Sequence, residues 1–367
     1  MNSSTLLSGA LSGALSGDLP RSRVLAAMLI AIFVGLALAP FLFPGTRSLD
    51  VAAKVCVFIL LVASYDLLLG YTGIVSFAHT MFFGIGGYGI AIAMSRLDPD
   101  WPSIAIGTVC AVAASLLLSF VVGLFSLRVK AIFFAMITLA VASFFGILAS
   151  QLSTITGGED GITFKVPEIM RPAYRLIEEP LAGTVVGGKV LTYYFIFVGA
   201  TLLFLMLLRV VNSPFGRVLL AIRENDFRAE ALGYRTVIYR TIANCLGAAV
   251  ATMAGVFYAL WLRYTGPNTT LDFSIMVDIL LMVVIGGMGT MYGAVIGATL
   301  FVIAQNYLQD AMKAVSDAAA SASLPLLPAL FHPDRWLLWL GVLFVLSVYY
   351  FPFGVVGKLR VMAWNRR

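Results

Sequence analysis

Apolar residues fall along this chain in blocks about as long as a bilayer is thick, and the polar and small residues gather between the blocks. A spanning helix needs about 20 mostly apolar residues, because the hydrocarbon core is about 30 Å thick and a helix rises about 1.5 Å per residue. Apolar runs read against Gly, Pro and charged breaks predict ten spans, at roughly 24–43, 51–69, 76–95, 103–127, 131–151, 191–210, 241–262, 275–290, 293–309 and 336–351. The expected fold is all-α: a polytopic transmembrane helical bundle of about ten spans, with Gly-broken helices and inverted repeats.

Two of these spans interrupt the pattern. Gly70-Tyr71-Thr72-Gly73, then Ser76, His79, Gly84, Gly86, Gly87 and Gly89, occupy the third span and its flank; Gly286-Gly287-Met288-Gly289, Gly293 and Gly297 occupy the end of the eighth and its flank. In a chain split after the fifth span, these fall at corresponding places in two halves of opposite orientation. Paired Gly-interrupted segments point to a transport pathway, because broken helices expose backbone groups only where protein or water can satisfy them. The pathway candidates are Tyr71, Thr72, Ser76, His79, Gly286, Gly287 and Met288. For any one of the glycines the competing reading is close helix packing, and for His79 a hydrogen-bonded structural histidine. Asp66 and Asp278 sit near span ends and are expected to snorkel toward the interface.

Composition strengthens the membrane reading. The 367 residues are 60% hydrophobic and 11% charged, with a mean hydropathy of +0.97, which excludes an ordinary soluble domain. The net charge of +6 comes from Lys and Arg between apolar segments and forms no basic face, so membrane lipid fits it and nucleic acid does not. With a cytoplasmic N-terminus, Arg21 and Arg23, Arg128 and Lys130, Arg209 to Arg240, and Lys358, Arg360, Arg366 and Arg367 collect on one side, as the positive-inside rule requires. Residues 1–23 then read as a disordered cytoplasmic tail, 24–357 as a transmembrane permease domain and 358–367 as a basic cytoplasmic tail, with outer loops at 152–190 and 310–335. The 24–43 stretch is too long for a signal-peptide core and lacks a cleavage site. The expected location is the bacterial inner membrane, multi-pass, with both termini in the cytoplasm.

Little chemistry is indicated. Cys56, Cys110 and Cys245 stand alone in apolar runs, with His79 and His332 as the imidazoles, so neither a disulfide framework nor a metal site is expected. Gly84 to Gly89 satisfies GxGxxG, but inside a span; Gly183 to Lys189 fits GxxxxGK, but Val190 replaces the hydroxyl residue that would hold magnesium. No nucleophile or carboxylate pair stands out, so neither an enzyme nor a cofactor is expected.

Residues 212–240 form one sizeable cytoplasmic segment. Ser213 suits an N-cap with Pro214 at the first helical position, Leu219 and the pair Val218 and Ile222 make an apolar stripe, Asp226 can cap a second short helix, and Gly233 can end it. Such a stripe either rests on the membrane surface or docks into a partner's groove, and the pattern leaves these level. The chain closely resembles the LivM-type permeases of the branched-chain amino-acid ABC importer family, which also contains urea and amide permeases. The resemblance runs from about residue 51 to about 357 and rests on GYTGIVSFAHTMFFGIGGY (70–88), TGGEDGI (156–162), SPFGRVLLAIRENDFRAEALG (213–233) and DILLMVVIGGMGTMYGAVIGA (278–298).

The resemblance implies a permease subunit that passes a small polar or amphiphilic solute, a branched-chain or related amino acid, inward by alternating access. It also implies ATP hydrolysis on two separate cytoplasmic ATPase subunits, a second homologous permease and a periplasmic solute-binding protein that docks near TGGEDGI. The coupling residues it implies are Pro214, Phe215, Gly216, Arg217, Ile222, Arg223, Glu224, Asn225, Glu230, Ala231 and Gly233, with Ile222 in the apolar contact and Glu224 in its rim. The competing class is a secondary transporter or channel for a small solute such as urea or an amide; the lack of a midplane carboxylate or Lys argues against it.

Overall fold

The computed structural model describes residues 23–42, 45–126, 131–176, 186–321, 332–351 and 354–364. Residues 1–22 of the expected tail at 1–23 and the bases Arg128, Lys130, Arg366 and Arg367 lie outside them, while Arg23 begins the first helix. Each of the ten predicted spans is a helix: α1 Arg23–Ala37, α2 Thr46–Thr72, α3 His79–Arg96, α4 Trp101–Ser126, α5 Ala131–Gln151, α6 Gly188–Val211, then, after the two short helices α7 Pro214–Glu224 and α8 Asp226–Ala231, α9 Thr236–Leu262, α10 Phe273–Gly286, α11 Met291–Ser321 and α12 Trp336–Tyr350. A last helix, α13, covers Gly354–Trp364. Among the described residues eight stretches are long and apolar enough to cross a membrane; α1 is short, and α3, with its glycines, His79 and Arg96, is not among them.

Two helices make the centre. Of the apolar stretches, 89% of that in α2 and 67% of that in α9 is buried, against 28% in α4, 17% in α5 and 12% in the stretch containing α12. The outer helices therefore turn most of their apolar surface away from the chain, as lipid-facing helices do. α9 packs on α2, α3 and α4, while α2 packs on α6 and α11. Both central helices are 27 residues long and both stop at a left-handed residue, Gly73 (φ 73°) after α2 and Arg263 (φ 55°) after α9. After the first stop the chain breaks before α3; after the second it passes a two-residue strand and a four-residue helix, Pro267–Thr270, before α10. Spans that alternate in direction make α2 and α9 antiparallel.

Outside the helices, β1 (Ile162–Thr163) pairs antiparallel with β2 (Tyr264–Thr265), with Ile162 opposite Thr265. The Phe164 N–H also donates to the Arg263 carbonyl at 3.1 Å. The 156–166 segment thus braces the break after α9.

Two expected boundaries move. α11 continues to Ser321, so residues 310–321 of the expected outer loop are helix, and 322–331 lie outside the described residues. The expected division between permease domain and basic tail, at 357, falls inside α13, whose Val356 is buried against Leu25 and Ile296. Apolar periodicity carried this helix into the bundle despite its bases.

Candidate functional site

The two glycine clusters meet. A methyl group on Gly70, in the last turn of α2, would lie 2.4 Å from the Gly289 nitrogen in the α10–α11 break. The Gly289 N–H donates to Asp66 Oδ1 at 2.9 Å. Asp66 is 1% exposed, and its Oδ2 has no hydrogen-bond partner among the described residues. The expected snorkelling of Asp66 is therefore corrected: the carboxylate turns inward because a backbone donor from the other half of the chain awaits it there. Asp278 is also partly buried, where its Oδ2 accepts from Gln305 Nε2 at 3.3 Å. The parts that meet are Gly70–Gly73, before α3, and Gly286–Gly289, after α10; because those spans run oppositely, these two breaks come together, while Gly84 and Gly87 inside α3 face Leu271, Thr265 and Thr270 near the break after α9.

The pathway candidates divide. Tyr71, Thr72, Ser76 and His79 are at most 2% exposed. The Thr72 hydroxyl donates to the Leu68 carbonyl at 2.7 Å, and Ser76 Oγ accepts from the Ala78 N–H at 3.3 Å. His79 stands edge-on to Tyr65 at 5.0 Å and to Phe82 at 6.3 Å. Neither its ring nitrogens nor the Tyr65 hydroxyl has a well-formed hydrogen bond among the described residues. Gly286 and Gly287 are buried, while Met288 is 48% exposed. Gly287 has a φ of 115°, which bends the chain out of α10.

Several glycines serve packing instead. A methyl on Gly86 would lie 2.0 Å from the Thr252 carbonyl oxygen and one on Gly255 1.9 Å from that of Phe83, so α3 and α9 touch backbone to backbone. Gly286 meets the Gly293 carbonyl and Gly297 that of Met282 in the same way, closing α10 onto α11.

The cytoplasmic segment folds as two short helices. Pro214 starts α7, and Ser213 holds the cap position, but its hydroxyl donates to Val210 at 2.6 Å. Asn225, not Asp226, caps α8 by accepting from the Arg228 N–H at 2.9 Å, and Asp226 instead pairs with Arg240 at 2.9 Å. Gly233 ends α8 at φ 93°, as expected. Phe215 stacks on Tyr239, and the Thr236 hydroxyl donates to Glu230 at 2.8 Å.

One coupling assignment is corrected here. Gly216, Leu219 and Ile222 face the chain's own bundle, and Ile222, at 1% exposure, has no surface left for a partner. The stripe was read correctly, but the bundle covers it. The apolar groups left outside are Phe227 and Leu232, 82% and 73% exposed, which the sequence reading did not select. Arg217, Glu224, Asn225, Glu230 and Ala231 are exposed around them. Arg223 turns back, and its Nη1 donates to the Gly70 carbonyl.

An apolar cavity of about 320 Å³ lies between α1, α2, α6 and α11, and none of the pathway candidates lines it. Among the described residues no group of three or more His, Cys, Asp or Glu could hold a metal ion.

The family described as branched-chain amino acid transport system / permease component matches residues 47–348. The chain is 26% identical over 299 residues to the high-affinity branched-chain amino acid transport system permease protein LivM of Escherichia coli K12, covering 77% of this chain and 68% of that one. It is 29% identical over 304 residues to a Methanocaldococcus jannaschii protein named "Probable branched-chain amino acid transport permease protein LivM", covering 78% and 81%. It is also 23% identical over 281 residues to the permease protein BraD of Pseudomonas aeruginosa, covering 75% and 89%. No solved structure matches.

Proposed function

We propose, from the premise that this chain belongs to the branched-chain amino acid transport permease family, that it is the membrane-spanning permease subunit of an ATP-driven importer and passes a branched-chain or related amino acid into the cytoplasm. A second homologous permease would complete the pathway, two ATPases would dock on the cytoplasmic face, and a binding protein would deliver substrate at the opposite face near residues 156–166. By the positive-inside rule, the bases between α6 and α9 support a cytoplasmic position for α7 and α8, with both termini on the same side of the inner membrane.

Transport needs only transient substrate contact, so the polar groups at the α2–α3 and α10–α11 junctions suit it. Tyr71, Thr72, Ser76, His79, Gly286 and Gly287 are closed off in this conformation, and Met288 is half exposed. In alternating access they would line the path when the two junctions separate, and binding of ATP would drive that change through α7 and α8.

The observation that carries the reading is the exposure of Phe227 and Leu232 on a helix pair otherwise pinned to the bundle. An apolar side chain of this size contributes about 1.5–3 kcal/mol when a partner buries it, roughly 10-fold to 150-fold in affinity. Phe227→Asp should therefore release the ATPases from the purified complex and lower ATP-dependent amino acid uptake at least tenfold. Full retention of both would remove α8 from the docking surface.

One observation favours a second reading, an ion-coupled carrier: Asp66 is a buried carboxylate with an unpartnered oxygen. Uptake by vesicles that hold the permease without ATPases, driven by an ion gradient, would favour that reading over the first.

A further inference from the structure

Arg223 has three possible roles in an ATPase-docking segment: a solvated cation, a contact to the ATPase, or a link inward. The geometry points to the third. We propose that Arg223 is a positioning residue that ties α7 at once to the end of α2 and to the α10–α11 break, so that one displaced helix moves both. The inference rests on reading α7 and α8 as the docking segment, and adds to it the route by which movement enters the bundle.

Two glycines from distant parts of the chain leave room for this side chain, and a third offers it a carbonyl. A methyl on Gly73 would lie 3.2 Å from Arg223 Cγ, and one on Gly289 would lie 2.7 Å from Arg223 Nη1. Gly70 gives Arg223 its carbonyl and touches Gly289. The last four carbonyls of a helix lack intrahelical partners and carry partial negative charge, so a cation at that end supplies both a donor and a favourable charge. Here the Gly73 and Ile74 N–H groups both return to the Leu68 carbonyl, at 3.3 Å for Ile74, which leaves the Gly70 carbonyl for Arg223.

Asp66 completes the junction. It accepts the Gly289 N–H at 2.9 Å, and Gly289 in turn lies against Arg223 Nη1 and the Gly70 carbonyl, so the carboxylate and the guanidinium hold the same turn from two sides. A pull on α7 therefore acts on the α2 terminus through a hydrogen bond, and on the break through Asp66 and Gly289. Solvation alone would require none of these contacts.

The test uses the complete transporter in lipid nanodiscs, with its loaded binding protein and leucine as the probe. Arg223→Gln should keep the ATPases bound within twofold of the parent and keep basal ATP hydrolysis, while hydrolysis stimulated by the loaded binding protein falls at least tenfold. Asp66→Asn should give the same loss with assembly intact, and the double variant should be no worse than either single one. Arg223→Lys, which keeps the charge, should recover at least half of the stimulation. Release of the ATPases by Arg223→Gln would make Arg223 an ATPase contact and overturn the inference while the docking reading stands. Unchanged stimulation would overturn it too, as would failure of Arg223→Lys and Asp66→Asn to assemble, since the junction would then be structural only. If Phe227→Asp leaves the ATPases bound, the failure belongs to the docking reading instead.

Discussion

At positions 86 and 255 a single methyl group has nowhere to go. The atoms it would meet, 2.0 and 1.9 Å away, are backbone carbonyl oxygens of the facing helix, and a helix cannot yield as a side-chain tip can. Gly86→Ala or Gly255→Ala should therefore cost about 1–3 kcal/mol, the usual penalty of overpacking. Gly146→Ala, with nothing within 4 Å, should be neutral or stabilising by up to about 1 kcal/mol, because Gly is costly inside a helix. Thermal unfolding of the purified permease reads both, and equal melting temperatures for the three variants would show that the α3–α9 contact adapts. The clusters were visible in the sequence, but not which glycines pack and which turn the chain. That depends on the facing surface: Gly86 meets Thr252, and Gly289 meets Arg223 and Asp66, all distant in sequence. Asp66 was misjudged for the same reason, since nothing beside it in the chain announces the donor that holds it.

The cytoplasmic helices show the same limit one level up. The 3.6-residue period of 214–224 and the terminating Gly233 were legible, because caps and stripes are local. Which way the stripe faces was not, because it is set by α2, α6 and α9, on which α7 packs. The two faces predict opposite outcomes. Ile222→Asp places a charge at a buried site and should abolish a monodisperse permease peak in size-exclusion chromatography, whereas Leu232→Asp should leave that peak unchanged and weaken ATPase binding. Similar elution of both variants would mean that α7 is not held against the bundle. The cap of α8 was off by one residue, Asn225 for Asp226, because both residue types cap helices and only the ion pair to Arg240 separates them.

For the whole molecule, a helix at each of the ten expected places was legible because each apolar run is continuous in sequence, and eight stretches among the described residues are long and apolar enough to cross a membrane. The β1–β2 pairing was not, since two-residue strands leave no period to read. The order of burial was also hidden: α5 is among the most apolar stretches and one of the least buried, while α3 is nearly enclosed and less apolar. That inversion has a consequence for biosynthesis. The segments that face lipid are able to leave the translocon unaided, but α3 depends on neighbours, and its principal one, α9, begins 140 residues after α3 ends, from 96 to 236. At a ribosomal pace of about 5–20 residues per second, α3 waits roughly 7–28 s for the surface that covers Gly86. In a glycosylation-reporter assay α5 alone should integrate efficiently and α3 alone poorly, with α2 and α4 restoring α3. Efficient integration of isolated α3 would mean that no such waiting period exists; poor integration would make those seconds the interval in which the nascent chain needs protection by a membrane insertase.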